Sequence, residues 1–237
     1  MGKVTSTYTS ISNHSEQVYY QGSISLDHSA NQTNGSAVGG TNVAMAAGYL
    51  FLSAANAYIN YRSFLSFDLS NLPVSDISSV TLILKRYNSS ANDHDIYIIR
   101  SEASDAVGTS DYQDGIYGAT GYPYTDDAVL FKDSAWTVGG SSQGDVVSTQ
   151  LNDRAIVNVK NAMGSGKFKL ALVGTYDYND TYTSFSPPSA FVIKGPMFYS
   201  TQDGTTSNHP ALRIVTDHTS FIISADTILK GGNLTIK

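Results

Sequence analysis

The chain has 237 residues, a net charge of −6 and a pI near 5.2, and only 14% of its residues are charged. With no run of Lys and Arg, that balance excludes a nucleic-acid role, which needs clustered cations. The absence of Cys excludes disulfides, thiolate metal sites and cysteine nucleophiles together.

Ser, Thr, Tyr, Gly and Asn dominate, and Glu occurs only at Glu16 and Glu102. Long amphipathic helices draw on Glu, Lys and Leu, so the composition predicts an all-β chain with few, short helices. Met1–Thr5 leads straight into strand-like sequence without an apolar h-region or cleavage site; either a signal has been removed or none was present. One strand is expected near residues 4–11 and another at 17–26, followed by a Gly/Asn/Ser loop at 30–41. The uncharged stretch Val43–Ile59 is broken by Gly48, Ser53 and Asn56 and falls short of a membrane span.

A sheet-building block fills residues 42–101 and ends at Ile96–Arg100. Within it Leu65, Phe67 and Leu69 share one face, opposite Ser66 and Asp68. After a turn marked by Pro73, Val80, Leu82 and Leu84 alternate with Thr81, Ile83 and Lys85. Period-2 alternation of this kind fits half-buried strands. Residues 103–150, rich in Gly, Asp, Ser and Tyr, read as a long irregular insertion, a kind of segment that is usually functional. Regular strands are expected to resume from 154 to 217.

No internal repeat is visible, which argues against a solenoid or propeller. The reading is one domain, residues 1–217, built as a two-sheet antiparallel β-sandwich. Residues 218–237 form a strand-rich C-terminal extension whose apolar stretches, Phe221–Ile223 and Ile228–Leu229, call for a covering partner. The expected core holds Leu65, Phe67, Leu69, Val80, Leu82, Leu84, Phe168, Leu170, Leu172, Leu212 and Ile214.

The wording of three stretches is familiar. Arg62-Ser-Phe-Leu65-Ser-Phe67-Asp-Leu69-Ser-Asn-Leu-Pro73 precedes the strand Ser78-Ser-Val80-Thr-Leu82. Arg154–Lys160 precedes Lys167–Val173, and Phe198–Gly204 precedes His209–Val215. In this order they resemble the DNRLRE-type jelly-roll domain, although the string that names the family is absent and Met163 stands where an aromatic is common. The resemblance covers roughly residues 17–217. It implies a jelly roll, a carbohydrate-binding-module-like activity, and a place on extracellular or virion proteins.

Catalytic strings lack their context. Gly140-Ser-Ser142-Gln-Gly144 fits Gly-x-Ser-x-Gly, yet it precedes the strand-like Asp145–Val147 where a nucleophile elbow needs a helix. Gly164–Lys167 lacks the first glycine and the final Ser/Thr of a phosphate loop and reads as a turn. His14, His28, His94, His209 and His218 are dispersed without metal-ligand spacing. Glycoside hydrolysis needs two carboxyls flanking a bond, and no Asp stands in a recognisable catalytic context.

Oxygen-rich clusters around Asp93 and Asp95, and around Asp177 and Asp180, offer a place for a structural calcium ion, set against solvated turns as the plainer reading. Tyr112, Tyr117, Tyr122, Tyr124 and Trp136, the only Trp, sit among Asp and Gly and offer rings for stacking on sugars; packing of these rings within the loop is the alternative. Outward positions on the strands place Lys85, Lys167, Lys169 and Arg213 in a positive stripe, if those strands are adjacent.

The expected function is a non-enzymatic virion surface or structural protein: a phage capsid decoration, fibre or tail component with a carbohydrate-binding-type jelly roll. Its partners would be copies of itself, other virion proteins or polysaccharide, with no membrane insertion. The second reading is a carbohydrate-binding module of a secreted bacterial or cell-surface protein, and the third a polysaccharide-degrading enzyme.

Overall fold

The computed structural model describes residues 2–9, 17–22, 37–38, 43–52, 57–72, 75–88, 95–114, 116, 129–138, 142–164, 166–179 and 192–218. Among these residues the strands are β1 (Gly2–Thr9), β2 (Gln17–Gly22), β3 (Ala37–Val38), β4 (Ala44–Ala46), β5 (Gly48–Leu52), β6 (Ala57–Asp68) and β7 (Asp76–Lys85). They continue with β8 (Ile96–Arg100), β9 (Val146–Gln150), β10 (Lys167–Gly174), β11 (Val192–Lys194), β12 (Met197–Tyr199) and β13 (Ala211–His218). Among the same residues the α-helices are α1 (Asp111–Asp114), α2 (Asp153–Ala162) and α3 (Thr175–Asn179), with a 3-10 turn at Thr206–Asn208.

The strands build an all-β sandwich of antiparallel sheets. One sheet runs β1-β13-β7-β9. The larger runs β11-β5-β6-β10-β8, with β2 also on β6 and β3 on β2, and β12-β4 form a small third ribbon. The register sets like against like: Leu82 faces Leu212, Val80 faces Ile214, Phe67 faces Phe168 and Leu65 faces Leu170. Because side chains alternate along a strand, these pairs place the inner apolar rows of both sheets in one core. All eleven residues expected in that core are at most 2% exposed.

The outer face of the larger sheet is also buried. Phe64 on β6, Ile99 on β8, and Ala171 and Val173 on β10 point away from the sandwich core. They form a second cluster with Ala103, Val107, Tyr112, Ile116, Val129, Leu130 and Tyr178. The irregular insertion therefore covers a sheet face. Its return stretch, 129–138, runs beside β8, bridging Leu130 to Ile99 and Trp136 to Ile96. Along it Phe131 turns into the sandwich core, stacked on Phe168 at 5.1 Å, while Leu130 turns into the outer cluster.

Some expectations of the element reading fail: residues 146–150, placed in the irregular insertion, form β9 against β7, and residues 175–179, placed in the strand block, form helix α3. Residues 153–162, expected as strand, are helix α2. Ile156, Val157 and Val159 look strand-like, but Ala155, Val159 and Ala162 recur at helical spacing and are the residues that the helix buries. The Asn152 side chain caps it by accepting the Ala155 N–H at 3.1 Å. Residues 219–237, and with them the expected strand-rich extension, lie outside the described residues.

Candidate functional site

On the outer face of β6, Asn60 and Arg62 stand between apolar neighbours and meet residues from both covering helices. Arg62 Nε and Nη2 each donate to one oxygen of Asp177, both at 2.7 Å, and Nη1 donates to the Tyr112 carbonyl at 2.6 Å. Asn60 Nδ2 reaches Asp177 at 3.0 Å and the Tyr112 hydroxyl at 2.8 Å. The Arg62 guanidinium also lies 4.1 Å from the centre of the Tyr112 ring. With 0% and 1% of the two charged side chains exposed, the pair is stable only because this fork geometry and the added hydrogen bonds replace water.

This network corrects two sequence expectations. Tyr112 is 0% exposed, so its ring has no open face for a sugar. Asp177 has both carboxylate oxygens committed to Arg62, so it serves the ion pair where a calcium ligand was expected. Trp136, 8% exposed, also packs inward, stacked 6.3 Å from Phe198 with the planes 13° apart. Asp95 is half-buried on the approach to β8, and its carbonyl accepts the Thr175 N–H at 3.1 Å. Tyr117, Tyr122, Tyr124, Asp93 and Asp180 lie outside the described residues. Among the described residues no three His, Cys, Asp or Glu gather as a metal site.

The expected basic stripe does not form either. Lys85 and Arg213 belong to the smaller sheet, Lys167 and Lys169 to the larger, and their strands share no edge. Lys85 instead reaches Asn208 Oδ1, 2.5 Å away, and its ammonium lies 5.9 Å from the centre of the Tyr199 ring. Ser142 and Gly144 of the Gly-x-Ser-x-Gly string sit in the turn before β9, where the Asp145 carboxylate accepts the Ser142 N–H at 2.7 Å.

Lys167 and Lys169 do stay together. They are two apart on β10, so both leave the same face. The segment following β8 brings Asp105 between them: its carboxylate lies 2.7 Å from Lys167 Nζ and 3.0 Å from Lys169 Nζ. Lys169 Nζ also donates to the Ala103 carbonyl at 2.7 Å. Hydrogen bonds from Lys167, and then from Lys169, hold the Asp105 carboxyl down to about 2. Asp68, facing Lys167 across the β6–β10 ladder, is lowered as well, chiefly by hydrogen bonds from Ser70.

Asp68, Ser70, Asp105, Gly166, Lys167 and Lys169 line an open groove of about 530 Å³. A smaller hollow of about 110 Å³, lined by Arg100, Ser101 and Asn158 among others, shares both lysines. Cations, carboxylates and hydroxyls thus line the two hollows on either side of the lysines at the start of β10. Asp105 gave no sequence signal, because an isolated Asp in a Ser/Asp-rich loop reads as a solvated turn.

A search against protein-family models found no match to this chain, and a search of curated proteins found none either.

Proposed function

We propose that this chain is a non-enzymatic surface protein of a virion, a capsid decoration, fibre or tail component, whose jelly-roll body binds polysaccharide in the Lys167–Lys169 groove. The observation that carries the binding reading is the groove itself. Two ammonium groups, two carboxylates and the Ser70 hydroxyl line it. Sugar hydroxyls both donate and accept, so a surface of interleaved donors and acceptors matches them.

The same carboxyls speak against hydrolysis. Glycoside cleavage needs one carboxyl held protonated by a raised pKa. Asp105 and Asp68 are both shifted the other way and stay ionised at neutral pH. The motif resemblance of residues 62–84 and 198–215 and the Ser/Thr/Asn/Gly-rich, cysteine-free composition support the surface setting. A carbohydrate-binding module of a secreted bacterial protein is the second reading, favoured by the same groove.

Incubating the full chain with a panel of neutral and acidic polysaccharides tests the proposal. Binding without release of reducing ends or unsaturated products is expected. Reproducible release that one Asp substitution abolishes would establish the enzyme reading instead. Antibodies to the chain should label virus particles; labelling restricted to a bacterial envelope would establish the secreted module.

A further inference from the structure

Lys85 ends β7 and Asn208 closes the 3-10 turn that feeds β13, so residues 123 apart in sequence meet at one corner of the smaller sheet. Lys85 Nζ is 2.5 Å from Asn208 Oδ1, with Cγ one bond beyond. The Asn208 amide nitrogen donates to Asp203 Oδ1 at 2.9 Å. Asp203 is itself fixed: Oδ1 also accepts the Thr205 N–H at 2.9 Å, and its carbonyl meets His209 Nε2 at 2.7 Å. Asn208 is only 9% exposed. Tyr199 stands beside the ammonium, and Tyr87 packs edge-on against Tyr199 with centroids 5.3 Å apart. A lysine nitrogen, the amide oxygen it reaches and a carboxylate on the amide nitrogen thus meet in a half-buried corner beside Tyr199.

We propose that Lys85 and Asn208 condense spontaneously into an intramolecular isopeptide bond, with Asp203 as the acid–base residue. In its neutral form the Lys85 amine attacks Asn208 Cγ, forming the new C–N bond, and charge moves to Oδ1. Collapse of this adduct breaks the Cγ–Nδ2 bond. The proton lost by the attacking nitrogen passes to Nδ2, which leaves as ammonia; Asp203, already hydrogen-bonded to Nδ2, is placed to relay it. Starting from the lysine ammonium, the products are one secondary amide and one ammonium ion, with no oxidant or other reactant.

Such a reaction is slow between free side chains. Holding nucleophile and carbonyl in contact supplies the positioning that makes an intramolecular acyl transfer competitive. The bond would tie β7 to the entry of β13, the two paired strands at the centre of the smaller sheet. In a chain without Cys it would be a crosslink indifferent to redox conditions.

Intact-mass measurement of the full chain, with tandem mass spectrometry of its tryptic digest, is the test. The expected result is a mass lower than the sequence mass by one ammonia, a branched peptide joining Lys85 to Asn208, and no tryptic cleavage after Lys85. Lys85→Arg should restore the full mass for its sequence, and Asp203→Ala should leave most of the chain uncrosslinked while it keeps the wild-type β-sheet spectrum. A wild-type chain at full sequence mass after prolonged incubation would overturn the proposal. So would an ammonia loss that persists in Lys85→Arg, since that would mark cyclisation at an asparagine without the lysine.

Discussion

The fully buried Arg62–Asp177 pair joins three parts of the chain: β6 supplies the arginine, α3 the aspartate, and α1 the Tyr112 ring and carbonyl on which the arginine also rests. Removing one partner strands the other charge without water. Asp177→Ala should therefore cost about 3–5 kcal/mol in denaturant unfolding, whereas replacing both charged residues by apolar ones of similar volume should recover much of that loss. A cost for Asp177→Ala near that of an exposed pair, under about 1 kcal/mol, would show that the insertion is held by its apolar contacts alone. The pair was not legible in the sequence. Ser66 and Asp68 on the outer face of β6 pointed to solvent, and only Phe64, in the same register, hinted that this face is covered. The eleven core positions were legible because each repeats with period two and is apolar. Polar residues on a covered face break that rule, because partners from distant segments satisfy them.

At the scale of elements, helix α2 shows where local pattern competes with propensity. Ile156, Val157 and Val159 favour a strand on composition, yet the segment closes one side of the sandwich between β7 and β10 as a helix. Its start depends on Asn152, whose amide also donates to the Leu130 carbonyl at 3.0 Å and to Asp133 at 2.7 Å. Asn152→Ala should lower stability by about 1 kcal/mol through the lost cap, with somewhat more from the broken tie to Leu130. Thermal melts followed by circular dichroism check this. An unchanged melting temperature would mean that packing of Ala155, Val159 and Ala162 alone specifies the helix. The Lys167–Lys169 pair was legible as outward-facing on its strand. What the strand pattern could not supply was its neighbours, because strand order in a sheet is a long-range property. For that reason the expected union of Lys85 with the other lysines failed, while each lysine on its own was placed on an outward register position.

At the scale of the molecule, the smaller sheet ends at β1 and β9 among the described residues, and Val146 on β9 is 66% exposed. Edge strands of this kind can accept a strand from a partner. The apolar stretches Phe221–Ile223 and Ile228–Leu229 follow β13 in the sequence. We propose, on the apolar character of the C-terminal extension, that copies assemble through it. Deleting the chain after His218 should leave a folded monomer, while the intact chain sediments as an assembly. A deletion that unfolds the domain, with the intact chain monomeric, would place those residues in the protein's own core.

Titration calorimetry with the best-binding polysaccharide of the panel measures whether the groove on β10 is the binding surface proposed above. Lys167→Ala/Lys169→Ala should weaken binding at least tenfold, about 1.4 kcal/mol, while Lys85→Arg, on the other sheet, leaves the affinity unchanged. Binding that survives the double substitution undiminished, in a protein with the wild-type melting temperature, would place the polysaccharide elsewhere on the molecule.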